Sequence, residues 1–372
     1  MLTTPAELWE QMSAASDRAR RAVPAEISVR RFLLAEMPVE ITFVGLNLSN
    51  LICRSLAHLT VESFADFRPV LRIDLWDESL TGVRRPFGDL REAFEQSIHF
   101  ADGILAGATG ADYVGQQNPR ACTLMNRSSN RIVGCVGSSQ ALSQSEIAKP
   151  LQPILFAWYH SQGIQPVHAG LVARGGNGVM IGGAGGSGKS TTSLLCVQAG
   201  FSYLADDYVG LPPAADGRQT AYSFYTSLWL EEEHSKRFQW LLASRIEGQV
   251  CGHEKLPFGI AEAFPESMAT QCTVRAVILP RVVSANATHI PHSRLRPATT
   301  AEALLKLAPS SVLQLPFIQP AIALERIATL LRSVPSFWLD LGSDFDSIPL
   351  RVTEALELAM GSVAIESPRG TK

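Results

Sequence analysis

The chain has 372 residues, enough for two domains or one elaborate one. With 46% apolar and 18% charged residues it is a globular protein, and a formal charge of −3 leaves no electrostatic footprint for nucleic acid. No apolar run approaches the roughly 18 residues needed to span a bilayer, so no membrane association is expected.

Residues 1–35 read as polar and helical, with a break at Pro24. Arg18, Arg20, Arg21, Arg30 and Arg31 make this end locally basic, which reads as a solvated helix face. Arg30-Arg31 before Phe-Leu-Leu has the outline of a twin-arginine signal, but Glu36 and Glu40 interrupt the apolar part and exclude it. Without a signal segment, the six scattered cysteines read as reduced thiols in a cytoplasmic protein. Cys251-Gly252-His253 has metal-ligand residue types but no partner pair, and reads as a metal-free loop.

From Val39 the pattern turns to β. Glu40 to Val44 and the alternating Val70 to Trp76 read as strands. Ala121 to Val136 reads as a hairpin turned at Asn126–Asn130, and Asp89 to Leu105 as a helix or mixed segment. Ser143 to Ser161 reads as one helix, with Ile147, Leu151, Ile154, Leu155 and Trp158 on one face and Pro150 and Pro153 early in it. A boundary near residue 140 is expected, giving a β-rich α+β domain over 1–140 and an α/β domain over 141–372, with a mixed sheet flanked by helices.

The second part carries the most informative motif. Gly183-Ala184-Gly185-Gly186-Ser187-Gly188-Lys189-Ser190 matches the phosphate-binding loop pattern G-x-x-x-x-G-K-[ST]. Glycines let consecutive backbone N–H groups curl round an anion, and the next helix offers its unpaired N–H groups to the same phosphates. Lys189 is expected to reach the β- and γ-phosphates and Ser190 to offer its hydroxyl to Mg²⁺. The context is right: Val179-Met180-Ile181 reads as a buried strand, Ser190 to Ala199 as a helix, and Gly200 as its C-terminal cap.

Ser202 to Ala205 then reads as a strand running into Asp206-Asp207, beside the strand that leads to the loop. Two adjacent carboxylates allow two jobs, one on the metal and one as general base for an attacking hydroxyl. The alternative is a strand-end turn, which Asp favours. Pro212 to Gly217 reads as a turn, Thr220 to Leu230 and Val274 to Leu279 as strands, and Thr299 to Leu307 and Ala321 to Arg332 as helices. Ser336 to Leu341 closes as a strand and Ser347 to Met360 as a helix.

The run from His168-Ala-Gly-Leu-Val through the loop and Ala199-Gly200 to Ala205-Asp206-Asp207-Tyr208 resembles the HPr kinase/phosphorylase superfamily. The likeness is strong over roughly residues 164–211 and only compatible in element order beyond, including Leu339 to Pro349. It implies a nucleotide-binding core shared with phosphoenolpyruvate carboxykinase. It implies ATP as phosphate donor, bound with Mg²⁺ by Gly183 to Ser190 and the adjoining Thr191, with Ser190 and Asp206 on the metal. It implies catalytic roles for His168, Lys189, Asp206 and Asp207, with Asp207 assigned as the base; the reverse order of the two acids stays open. It also implies a later basic residue near the transferred phosphate, for which Arg281 is the first candidate and Lys255 the second.

The founding members phosphorylate a serine of a small protein, and similar kinases of peptide-maturation clusters phosphorylate a precursor peptide, at a C-terminal serine in lasso-peptide systems. The expected partner is therefore a peptide or small protein bearing a serine. Thr191 stands where HPr kinases carry an acid, and the downstream phosphorylase signature is missing, with Leu230-Glu231-Glu232-Glu233 a weak stand-in. A kinase alone is implied. Residues 1–140 are unlike the HPr-kinase N-terminal domain and more like the extended region of the peptide-modifying relatives, through Leu75-Trp76-Asp77, although Trp76 itself reads as a core aromatic. HPr kinases are hexamers, but with a different N-terminal part only the option of a homo-oligomer carries over. Three alternatives stand beside the peptide kinase: a kinase for a free hydroxyl metabolite such as serine, a nucleotide-hydrolysing switch, and an ATP sensor. Asn-Lys-x-Asp, the guanine signature of GTPases, and the Leu-Ser-Gly-Gly signature of transporter ATPases are both absent.

Overall fold

The computed structural model describes residues 4–64, 68–100, 103–107, 111–250, 255–282, 290–313 and 319–363. Cys251 and His253 lie outside them. The chain divides into two compact units, one built from Met1–Gln162 and Trp240–Gly259, the other from Gly163–Gln239, Ile260–Leu315 and Gln319–Lys372. Each holds a mixed sheet with helices.

The first unit opens with α1 (Pro5–Ala22). Thr4 and Glu7 form a reciprocal capping box at its start, and Pro5 occupies a first-turn position where its missing N–H costs nothing. Leu8, Met12, Ala15 and Ala19 recur at helical spacing and are fully buried. They pack, with Trp9, against Trp76, Leu124 and Val133 of the sheet. Trp76 is a core aromatic whose indole N–H donates to the Val83 carbonyl at 2.8 Å.

The sheet runs β3 (Thr60–Val61), β1 (Ile27–Leu34), β2 (Met37–Val44), β4 (Leu71–Asp77), β9 (Arg131–Val136), β8 (Ala121–Asn126), β7 (Tyr113–Gln117), β6 (Gly103–Ala106), β5 (Ser97–Phe100). The pairs β2/β4 and β4/β9 are parallel and the others antiparallel. The helical reading of residues 1–35 is thus corrected. Ile27 to Leu34 pairs along its whole length with β2, across a two-residue turn in which Ala35 and Glu36 have φ of 50° and 64°. That backbone is usual for hairpins, but it is normally flagged by Asn-Gly or Asp-Gly, which this turn lacks.

The basic N-terminal end is also less solvated than expected. Arg20 and Arg131 both bind the buried carboxylate of Asp74, and Arg31 pairs with Glu40 across the hairpin at 3.2 Å. Arg18 and Arg21 are exposed.

On the sheet face away from α1 lie α2 (Leu46–Arg54), α4 (Gln144–Ala148) and α5 (Gln152–Ser161), while α3 (Glu78–Thr81) is a single turn after β4. The single helix expected over 143–161 is two helices. The chain breaks at Lys149, Pro150 and Leu151, and Leu151 takes φ 56°, a left-handed conformation rare outside glycine. The described residues of 89–105 hold β5 and the start of β6, and no α-helix. The unit's last strand is β17 (Lys255–Gly259), so the first unit carries α4, α5 and β17, which the sequence reading gives to the second part.

The second unit is built on β18 (Gln271–Val282). The sheet order is β10 (Gln165–Val167), β14 (Val209–Leu211), β15 (Thr220–Ser223), β18, β12 (Asn177–Ile181), β11 (Gly170–Arg174), β13 (Ser202–Ala205). β15 pairs β18 at 271–273; from Val277 on, β18 pairs with β20 (Ser336–Leu341), which β19 (Arg294–Ala298) flanks. The strands β12, β18 and β20 are parallel.

Leu171, Met180, Val277 and Leu279 point to one face, where α9 (Thr300–Ala308) and α10 (Pro320–Ser333) add Leu307, Ile327 and Leu330. On the other face α6 (Lys189–Gln198) packs on β11, and α11 (Ser347–Val363) packs on β12 and β18. The strand expected over 220–230 is two, β15 and β16 (Ser227–Glu231), and the short helices α7 (Glu232–Ser235) and α8 (Ile260–Ala263) complete the unit.

Candidate active site

The loop from Gly183 to Ser190 joins β12 to α6, in the context its motif requires. Gly183, Gly186 and Gly188 take φ of 147°, 76° and 100°, which side chains rarely adopt. A Cβ on Gly183 would fall 2.7 Å from Ser187 Oγ, and one on Gly188 would fall 2.3 Å from Leu341 Cδ1. At the exposed Gly185 and Gly186, no described atom lies within 4 Å of such a Cβ. The loop therefore closes tightly on the protein side and is open on the other. Lys189 is buried, its ammonium folded over the loop and donating to the carbonyls of Gly183 at 2.8 Å and Ala184 at 3.2 Å. At the far end of α6, Gly200 takes φ 85°. Its N–H bonds Val197 O, and that of Phe201 bonds Cys196 O, a Schellman close.

Sheet direction gathers the rest of the site. The strand β13 does not lie beside β12, as expected; β11 lies between them, antiparallel to both. The ends of β12 and β13 and the start of β11 consequently share one sheet edge. This places the loop, the pair Asp206-Asp207 and His168 together, as in sheets whose sites form outside the carboxyl ends of strands.

Ser190 donates its hydroxyl to Asp206 Oδ2 at 2.8 Å. The same oxygen accepts the backbone N–H of Trp229, in β16, at 3.1 Å. Asp206 is buried, and its Oδ1 has no hydrogen-bond partner among the described residues. Burial pushes its carboxyl above the ordinary range; the donors Ser190 and Trp229 oppose this, the neighbouring Asp207 adds to it, and Lys189 opposes it. Asp207 points elsewhere: its Oδ1 lies 2.7 Å from His168 Nε2. The imidazole stacks on Tyr208, with centroids 5.1 Å apart, and the backbone N–H of His168 donates to Ser311 Oγ at 3.0 Å. His168 Nδ1 has no hydrogen-bond partner among the described residues.

The remaining candidates are placed differently. Thr191 sits in the first turn of α6, half-buried. Arg281 is part of β18, not beyond it, and its neighbour Pro280 lies beside the loop. Its half-exposed guanidinium is tied to Asp340, which also binds Arg296 at 2.8 Å, and lies 5.3 Å from the Trp338 ring. Lys255 belongs to the first unit. Sequence reading missed the Trp229 N–H, the Tyr208 stack and Ser311. Tyr208 had a signal, adjacency to Asp207; a backbone donor and a hydroxyl remote in sequence had none.

Among the described residues no cluster of three His, Cys, Asp or Glu side chains could hold a metal. Magnesium asks for less: it keeps several waters and takes one or two protein oxygens beside substrate phosphates. The Ser190 hydroxyl and the Asp206 carboxylate, with its unengaged Oδ1, are hard-oxygen donors of that kind and fit it. No helix among the described residues is long and apolar enough to cross a membrane.

Neither a family model nor a curated protein matches the sequence. Among solved structures, the Hpr(Ser) kinase/phosphatase from Coxiella burnetii aligns with 55% of this chain and 99% of its own, at 14% identity and a TM-score of 0.30. A superposition at that score does not place the chain in a family.

Proposed function

We propose that this protein is an ATP-dependent phosphotransferase, a kinase that moves the γ-phosphate to a serine hydroxyl of a peptide or small protein. The observation that carries the reading is the pairing at one sheet edge. Ser190 engages Asp206 and His168 engages Asp207, both next to a phosphate loop whose Lys189 is buried. Adjacent acids with different partners suit different tasks. Asp206, bound to the loop serine, would help hold the metal; bound Mg²⁺ would neutralise charge on the phosphate oxygens. Asp207, steadied by His168, would take the acceptor hydroxyl's proton as that oxygen bonds phosphorus and the bond to the departing ADP breaks. Lys189 would exchange its loop carbonyls for phosphate oxygens.

Serine as acceptor, and a precursor peptide of a maturation pathway as its bearer, rest on the motif resemblance of residues 164–211. On this reading the first unit is the natural module for recognising the peptide.

The test is transfer from ATP and Mg²⁺ to peptides ending in serine, read by mass, beside an Asp207→Asn control. A gain of one phosphate that the control lacks is expected. ATP turnover with no peptide modified would refute the peptide acceptor and turn the search to free serine and other hydroxyl metabolites. A variant as active as the parent would refute the base.

A further inference from the structure

Beside the break between α4 and α5, inside the first unit, lies a cavity of about 320 Å³. It is bounded by the sheet face away from α1 and by α2, α4 and α5. That is room for roughly ten waters, or for a molecule of about ten non-hydrogen atoms, at the small end of ligand pockets. Leu151, on its wall, is held at φ 56°, a strained backbone for a leucine, which keeps α5 from running straight on from α4.

Most of the wall is aliphatic, with Ile52, Leu75, Val136 and Leu142 among its residues. Its ionic groups are already engaged. Arg120 and Glu146 pair at 2.6 Å, and Glu146 also accepts from Asn118, from the Ser143 N–H and from the Ser143 hydroxyl. Lys149 is not free either. The group in want of a partner is uncharged. Gln116, in β7, is 9% exposed and stands opposite Thr123 of β8. Its Oε1 accepts the Thr123 hydroxyl at 3.1 Å, while its amide N–H groups border the cavity and have no partner among the described residues. Buried amide donors are nearly always paired, and one left unpaired in apolar surroundings is costly. A donor fixed in this way is a ready contact for a ligand oxygen.

We infer that this cavity binds a small uncharged carbonyl compound: an apolar body of about six to eight carbons whose ketone, ester or amide oxygen accepts from Gln116. The aliphatic wall suits the apolar body and penalises an ion, since none of its charges is free to match one. A carbonyl oxygen suits the amide N–H better than a hydroxyl does, because it brings no donor that must itself be satisfied. The site owes nothing to the kinase reading.

The experiment uses the full chain and ligand-observed NMR titration with three probes of nearly equal size: cyclohexyl methyl ketone, 1-cyclohexylethanol and cyclohexanecarboxylate. The ketone should bind with a dissociation constant of roughly 0.1–10 mM, as expected for so few atoms. The alcohol should bind about fivefold more weakly, with its hydroxyl proton unplaced, and the carboxylate about tenfold more weakly or worse. Gln116→Met, which keeps the length of the side chain and removes the donor, should abolish the ketone-over-alcohol preference. Ala121→Leu, which fills the cavity, should abolish binding of all three, with circular dichroism showing that each variant is folded. A ketone that does not bind, an alcohol or carboxylate that binds as tightly, a Gln116→Met variant that keeps the preference, or a folded Ala121→Leu variant that still binds would overturn the inference. Should either variant fail to fold, the ranking of the three probes on the parent chain decides.

Discussion

Ser190→Ala tests the coupling at the heart of the site. The hydroxyl donates to a buried carboxylate that, among the described residues, has one other donor on that oxygen and none on its second oxygen. A hydrogen bond to a charged group contributes about 1.5–3 kcal/mol; Ser190 is half-exposed, water takes part of its place, and a loss of about 1.5 kcal/mol is expected at neutral pH. The pH dependence identifies the partner. Burial raises the folded-state pKa of Asp206 above the ordinary 3.8, so the native state keeps this proton longer than the unfolded chain. Stability from this group therefore falls as pH rises from 3.8 to the folded value and is level above it. Removing the Ser190 donor raises the folded value further, so the variant's deficit should be absent where both states are protonated and complete above that window. The assay is chemical unfolding at several pH values, following the transition that ATP with Mg²⁺ shifts, because a chain of two units need not unfold in one step. The same variant should lose the Mg²⁺ dependence of nucleotide binding. A deficit independent of pH, or Mg²⁺ dependence intact, would sink the argument.

Asp207→Asn should lower phosphate transfer by about 10²–10⁴-fold while nucleotide affinity, measured by titration, stays within about twofold. Gly188→Ala puts a Cβ 2.3 Å from Leu341 Cδ1 at φ 100°, and should cost about 2 kcal/mol or more in unfolding free energy and weaken ATP binding; a variant with parental stability would show that the loop is not fixed there. Burial pushes the thiols of Cys122 and Cys272 up to about 12, so a thiol-specific chromogenic reagent at neutral pH should leave both unmodified until the chain unfolds.

What was legible in the sequence was what a short stretch of chain decides by itself. The phosphate loop needs its glycines, lysine and serine in one run. The strand before it and the capped helix after it are written in apolar spacing and in Gly200. The hairpin of β8 and β9 and the closing strand and helix are local in the same way. Less was legible where partners decide. The turn at Ala35 and Glu36 carries no turn signature, so β1 is revealed only by its pairing with β2. The apolar face running from Ile147 to Trp158 satisfies a helix without showing that Leu151 will leave it. The placing of β11 between β12 and β13 is likewise absent from either strand's sequence.

The acidic pair shows the distinction at its sharpest. Neighbouring aspartates at a strand end are chemically identical in the sequence, and their order of duties stays open there. In the fold, the two lie in the bend just past β13; Asp206 is buried and Asp207 is only half-buried. Asp206 enters a buried place beside the loop serine, where ionisation is opposed by desolvation and a cation is the most effective relief. Asp207 is only half-buried and sits against the His168 imidazole. If the two acids have separate duties, burial is what divides them. Exchanging the roles would require exchanging the surroundings, so restoring activity to an Asp206→Asn variant by altering Asp207 alone should not succeed.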